Sequence, residues 1–111
     1  MRTIVVFVNS RNLSVHRHLD AWFHQDYVRA REMHEQHRAM AEELGDRAGV
    51  VRSCGNLAKC SLNTGDYGRA ISYFTEQYDR AKELQVGNEQ ADAALGMGVA
   101  LRLEVRANVR G

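Results

Sequence analysis

The stretch SLNTGDYGRAISYF, residues 61–74, places a glycine and an aspartate directly before an apolar run. Glycine readily adopts the left-handed conformation that ends a helix, and an aspartate side chain can cap the start of the next helix. The stretch therefore predicts a tight turn between two helices, in which Gly65 ends the first and Asp66 caps the second.

Part of this stretch occurs twice in the chain. When residues 25–44 are aligned with residues 65–84, seven of twenty positions are identical, where chance would give about one. The shared pairs are Asp26/Asp66, Tyr27/Tyr67, Arg29/Arg69, Ala30/Ala70, Ala41/Ala81, Glu43/Glu83 and Leu44/Leu84. A period of forty residues built from helices is typical of a helical solenoid.

Helices are predicted for most of the chain, which contains no proline. Their approximate bounds are 13–24, 26–44, 48–63, 67–86 and 88–107. The first four form two predicted hairpins, at about 13–44 and 48–86, and the fifth is an orphan helix within a single domain, 13–111. Residues 1–12 are a tail whose structure stays open, because TIVVFV suits a strand, an extended tail or a forced helical turn.

Residues 55–84, GNLAKCSLNTGDYGRAISYFTEQYDRAKEL, resemble a tetratricopeptide repeat (TPR). The residues at the family's spacing are Ala58, Gly65, Tyr67, Ala70 and Phe74. The forty-residue period is similar to the long-repeat branch found in Pins-type spindle adaptors, rapsyn and kinesin light chain. The resemblance implies an all-α fold, in which antiparallel helix hairpins stack as a short right-handed solenoid of about two and a half repeats. It also implies a peptide-binding or scaffolding role without catalysis.

The concave face of such a solenoid is lined by the first helix of each hairpin. On the helix predicted at 48–63, polar residues recur at three- and four-residue steps and so share one face: Arg52, Asn56, Lys59 and Asn63. The resemblance places Asn56 where long-repeat relatives hold the backbone of a bound peptide. Gly96 takes the equivalent place on the last helix, which breaks a ladder of such asparagines.

The basic side chains beside Asn56 suit an acidic segment or a C-terminal carboxylate, because charge-assisted hydrogen bonds are the stronger ones. Arg102, Arg106 and Arg110 follow at four-residue steps, so Arg102 could extend this basic strip, although a charged face of a terminal helix is the commoner explanation for such spacing. A solvated polar face without a ligand is the alternative. The predicted function is a non-catalytic interaction module that binds a protein or peptide, and no cofactor is expected.

A second hypothesis is self-assembly. The last predicted helix is apolar on more than one side, and repeat units cannot bury their apolar faces alone. If the chain stands alone, a second copy is expected to cover this helix, by stacking or by exchange of helices, which makes a homo-oligomer such as a homodimer the predicted state. If the chain is a piece of a longer array, the next repeat would cover the helix instead.

A third hypothesis is metal binding by histidines. HEQH, residues 34–37, is one residue short of the H-E-x-x-H zinc motif, and His16, His18 and His24 could contribute. His34 stands where the later repeat has Phe74, however, which favours a packed aromatic substitute. The sequence shows no nucleophile and base pair or phosphate-binding loop, so it does not indicate an enzyme.

Composition narrows the partners and the compartment. The 15 Lys and Arg residues nearly balance 14 Asp and Glu residues, which favours neither nucleic acid nor a membrane surface. The apolar run at residues 3–8 is shorter than a signal-peptide core of about 7 to 15 residues. Cys54 and Cys60 are six residues apart, which on a helix is a full turn plus a rotation of about 240°, so they lie on different faces. Both are expected to be buried thiols. The predicted location is therefore the reducing cytoplasm.

Overall fold

The chain folds as a set of antiparallel helices. The computed structural model describes the backbone of residues 13–110 and the side chains of residues 26–109. Its helices are α1 (Leu13–Leu44), α2 (Arg47–Asn63), α3 (Tyr67–Leu84) and α4 (Gly87–Arg110). Each helix packs against the next, and α2 also contacts α4. The predicted all-α fold is confirmed for this part of the chain, while the predicted tail at 1–12 lies outside the described residues.

Three turns of the same design follow one another at intervals of twenty residues. Gly45, Gly65 and Gln85 have positive φ angles of 72°, 83° and 59°. In each turn the next residue donates its N–H to the carbonyl five residues back, as Asp66 does to Ser61 at 2.9 Å. This bond satisfies a carbonyl that the helix itself leaves unpaired. The turns therefore repeat at half the forty-residue period of the sequence.

The residue after each left-handed residue stands directly before the next helix. The carboxylates of Asp46 and Asp66 accept from the backbone N–H groups of Gly49 and Arg69, as predicted for caps. The third turn differs from the prediction. Gln85 takes the left-handed conformation, so α3 ends at Leu84 instead of near residue 86, and α4 begins at Gly87 instead of near residue 88.

The hairpin predicted for residues 13–44 is wrong, because α1 runs through this range as one helix. Gln25 stands forty residues before the turn glycine Gly65, and neither glycine nor proline occurs between residues 13 and 44. Nothing in the local sequence therefore stops the helix before Asp26. Val105 stands forty residues after Gly65, and α4 likewise continues through it to Arg110, beyond the predicted end near 107.

The largest buried cluster lies where α2, α3 and α4 meet. Ala58, Ala70, Phe74 and Ala100 form it, and the three alanines are fully buried. Small side chains at this crossing let the helix backbones approach closely, while the Phe74 ring fills the space beside them. A second cluster of Ala41, Val50 and Cys54 joins α1 to α2.

The described helices also bear on membrane insertion. None of the helices within residues 13–110 combines the length and the apolar composition that crossing a bilayer requires.

Candidate functional site

A surface cavity of about 300 Å³ lies between the C-terminal half of α1 and the N-terminal half of α2. We call it the α1/α2 groove. The lining residues that matter for its chemistry are His37, Met40, Leu44, Asp46, Arg52 and Asn56. Ala41 and Gly49 also line the cavity; both are buried, and a Cβ atom built at Gly49 would lie 3.1 Å from the Cβ atom of Ala41.

One wall of the groove is apolar and uncovered. Met40 and Leu44 are 57% and 77% exposed, although both belong to a helix that packs against α2 through its other face. The equivalent of Leu44 on α3 is Leu84, which is half-buried. Burial of exposed apolar side chains of this size by a partner is favourable and stabilises the complex.

The opposite wall carries a guanidinium group. Arg52 is exposed, and its nearest carboxylate in the groove belongs to Asp46, with 3.9 Å between Nη2 and Oδ2. The other carboxylate oxygen of Asp46 accepts from the Gly49 backbone at 2.9 Å. Because the Arg52–Asp46 pair is long and exposed, most of the donor capacity of Arg52 remains available to a ligand.

The five residues predicted as a binding site divide between two helices. Arg52 and Asn56 line the groove, whereas Lys59 and Asn63 lie farther along the same exposed face of α2. Asn63 donates its side-chain amide to the Lys59 carbonyl at 2.8 Å, so this amide caps its own helix. Arg102 is exposed on α4 and does not belong to the groove lining. The structure thus brings together two of the five residues around one cavity.

The interrupted asparagine ladder has a steric cause. A side chain at Gly96, the equivalent of Asn56, would enter the ring of Phe74. Position 96 is therefore used for packing α4 against α3 and presents no polar group.

Sequence reasoning missed the apolar wall of the groove, because Met40 and Leu44 look like core residues on an amphipathic helix. It also missed an ionic network behind the groove, which joins α1 to α3. Arg38 pairs with Glu76, and Arg80 reaches Glu42 at 3.7 Å. The i,i+4 spacing of Arg38 with Glu42 and of Glu76 with Arg80 was the available signal, but it does not reveal the pairing across helices.

The histidine pair lies beside the groove. The rings of His34 and His37 meet edge to face with centroids 6.1 Å apart. Burial lowers the pKa of His34, and the neighbouring His37 lowers it further. Among the described side chains, no three His, Cys, Asp or Glu residues converge as metal ligands. The side chains of His16, His18 and His24 lie outside that range, so the metal hypothesis rests on sequence spacing alone.

Comparisons with family models, with curated proteins and with solved structures gave no match to this chain. The resemblance to a tetratricopeptide repeat therefore stays a prediction from the residues, and the function is argued from the groove itself.

Proposed function

We propose that this chain is a non-catalytic protein-interaction module, which holds a segment of another polypeptide in the α1/α2 groove. One observation carries the proposal. Two exposed apolar side chains, Met40 and Leu44, face an exposed guanidinium and an amide, of Arg52 and Asn56, across a cavity of about 300 Å³. A cavity of this kind suits a peptide segment with an apolar side chain and a carboxylate.

The charge of the groove favours an acidic segment. Arg52 can donate charge-assisted hydrogen bonds to a carboxylate, and Lys59 adds a second exposed cation on the same face of α2. The Asn56 side chain has both a donor and an acceptor, which is what the backbone of an extended or helical peptide requires. Apolar contact with Met40 and Leu44 would supply the affinity, and the polar wall would supply the orientation.

A reducing compartment such as the cytoplasm fits this role. Cys54 and Cys60 are both buried as free thiols, and thiols in such positions are stable where disulfides do not form.

Fluorescence anisotropy tests the groove with two labelled peptides of the same leucine-containing sequence, one with glutamates and one with glutamines. The glutamate peptide is expected to bind more tightly. Arg52→Gln should weaken its binding about fivefold or more, because one charge-assisted bond is lost. Asn56→Ala with Lys59→Ala should also weaken it. Unchanged affinity in both variants would refute the groove assignment.

Arg69→Gln is the matched control. Arg69 is an exposed arginine on α3 that pairs with the cap residue Asp66 at 3.5 Å, much as Arg52 pairs with Asp46. It does not line the groove. Removing its charge lowers the net charge of the chain by the same amount, so an equal loss of binding in this variant would point to bulk electrostatics instead of a site.

A further inference from the structure

The last helix has an uncovered face. Gly55, Ala58 and Ser61 are buried on α2. The Gln77 side chain of α3 lies against Gly55, and Ala58 shares a buried cluster with Ala70 of α3. Their equivalents forty residues later are Leu95, Gly98 and Leu101 on α4. Leu95 and Leu101 are 71% and 49% exposed, and a Cβ atom at Gly98 would have nothing within 4 Å. Among the helices that the structure describes, none therefore lies against the face of α4 that corresponds to the α3-covered face of α2.

The first helix has the complementary deficiency. Gln77 is buried on α3, and the side chain of Tyr73 is half-buried there. Their equivalents on α1, forty residues earlier, are His37, which is exposed, and Met33, which is 53% exposed. Within residues 13–110, the face of α1 that corresponds to the α2-covered face of α3 is thus also uncovered. This face borders the α1/α2 groove, since His37 belongs to both.

The uncovered faces of α1 and α4 have one cause: the chain does not turn at the two positions that are equivalent to Gly65. In α2 and α3 the chain reverses at Gly65. At the two equivalent positions, Gln25 and Val105, α1 and α4 run straight on. As a result, α1 and α4 have 32 and 24 residues, against 17 and 18 in α2 and α3. Because the chain does not reverse at Gln25 or Val105, neither α1 nor α4 forms a hairpin there like that of α2 with α3.

We propose that α4 of one copy packs antiparallel against α1 of a second copy, in its α1/α2 groove, and so completes a composite hairpin equivalent to α2 and α3. The inference rests on the proposed function and names the partner of the groove as the chain itself. The contact is head-to-tail, because it uses different surfaces on the two copies, and it leaves one free α1 face and one free α4 face on each pair.

The intact hairpin gives the register of the composite one. Ala58 and Ala70 share one buried cluster at the crossing of α2 and α3. Their equivalents, Gly98 and Ala30, are small residues too, and they meet when α4 is laid against α1 in the same way. Glycine at 98 allows a close helix crossing, and no atom of the described residues lies within 4 Å of a Cβ atom built there.

The same register continues along both helices. Counting outward from Gly98 opposite Ala30, Val105 and Val109 come level with positions 23 and 19. Both valines are exposed, at the end of α4. The sequence has Phe23 and Leu19 at those positions, on one helical stripe. In this register, apolar positions of the sequence therefore stand level with apolar positions along the extra lengths of α1 and α4.

Charge agrees with this placement. Glu89 and Asp92, near the start of α4, come level with residues 36–39 of α1, at the edge of the groove. In this placement their carboxylates approach Arg52, whose guanidinium lies 3.9 Å from the carboxylate of the cap residue Asp46. The acidic partner that the groove favours is then the first part of α4.

Light scattering after size exclusion tests the inference on the full chain. The wild type is expected to exceed its monomer mass of 12.6 kDa increasingly as concentration rises. Gly98→Gln should remain at the monomer mass, because the longer side chain has room in the chain's own fold but blocks the close crossing. Gly68→Gln is the matched control, on α3, where the nearest atom to a new Cβ is 3.9 Å away. It should assemble like the wild type.

A mixing experiment tests the head-to-tail geometry. Met33→Glu blocks the α1 face and should also be a monomer. Mixed with Gly98→Gln, it retains an intact α4 face for the intact α1 face of the other variant. The expected product is a 1:1 heterodimer of twice 12.6 kDa that grows no further. A symmetric α4–α4 contact would give no heterodimer, and that result would overturn the inference.

Two other results would also overturn it. These are a wild type that stays monomeric up to about 100 µM, and a Gly98→Gln variant that assembles like the wild type. Titrating the acidic peptide into the Gly98→Gln variant separates this inference from the proposed function. The α1/α2 groove of this variant is vacant whether or not the wild type self-associates. If the peptide binds and the wild type never self-associates, only the inference fails. If neither binding nor self-association occurs, both fail.

Discussion

The ring of Phe74 on α3 occupies the space that a side chain at Gly96 on α4 would need. Three ring carbons are the nearest neighbours of a Cβ atom built at this position. Phe74 is itself buried in the main cluster, so it has little freedom to move away. Gly96 is therefore required for the close approach of two helices, and its backbone conformation is an ordinary helical one.

Gly96→Ala is expected to destabilise the fold by about 1 to 3 kcal/mol, because overpacking outweighs the better helix propensity of alanine. Gly98→Ala on the same helix should instead raise the free energy of unfolding by up to about 1 kcal/mol, since a Cβ atom there meets nothing within 4 Å. Urea denaturation at a concentration where the chain is monomeric measures both. Changes of the same sign in the two variants would contradict the packing argument.

The ion pair between Arg38 and Glu76 should couple α1 to α3. Both side chains are less than a third exposed, and Arg80 also contacts Glu76 at 2.9 Å. A double-mutant cycle with Arg38→Gln and Glu76→Gln is expected to give a coupling free energy of about 1 kcal/mol, which decreases at high salt. The control cycle uses Arg69→Gln and Asp66→Asn, an exposed pair on one helix, and should give less. Equal coupling in the two cycles would contradict a special role for Arg38.

Replacing Gln85 with glycine, the left-handed residue of the first two turns, is expected to stabilise the third turn. Gln85 has φ of 59°, where a side chain is strained and glycine is not. Gln85→Gly should stabilise the fold by about 1 kcal/mol, and Gly65→Ala, at φ of 83°, should destabilise it by a similar amount. Thermal unfolding measures both shifts. If Gln85→Gly lowers the melting temperature, the side chain of Gln85 contributes more than the strain costs.

The turns at Gly45 and Gly65 could be predicted because a glycine and an aspartate determine them locally. The turn before Asp26 was inferred from the repeat, and it failed because Gln25 supplies no stop. A period in the sequence therefore indicates which residues are equivalent. It does not ensure that each copy keeps the residue on which the local structure depends.

The candidate site was partly predictable for a similar reason. Arg52 and Asn56 were found from helical spacing, which decides the face on which a side chain lies. The exposure of Met40 and Leu44 arises instead because no other helix of the described residues covers them, and the pattern of a helix contains no information about its neighbours. Comparing burial at equivalent positions of the repeat reveals such gaps, and this comparison needs the structure.

The thiol of Cys54 is buried where α1 packs against α2. Burial raises its pKa to about 11, and the negative charge of Glu76 adds to the effect. A raised pKa means that the folded state favours the protonated thiol. Its contribution to stability is therefore complete below about pH 9, where the unfolded thiol titrates, and is lost as the pH rises through about 11.

Urea denaturation of the wild type and of Cys54→Ser, from pH 7.5 to 11, should show this difference. Other groups titrate in the same range, but they are common to both proteins and cancel in the comparison. The free energy of unfolding is expected to fall more steeply with pH in the wild type than in the variant, because only the wild type ionises a thiol at this buried site. Cys60→Ser provides the control: it retains Cys54 and should keep most of the steep fall. Parallel pH profiles for the wild type and Cys54→Ser would show that the Cys54 thiol titrates alike in the folded and unfolded chain, and would contradict its burial against α1.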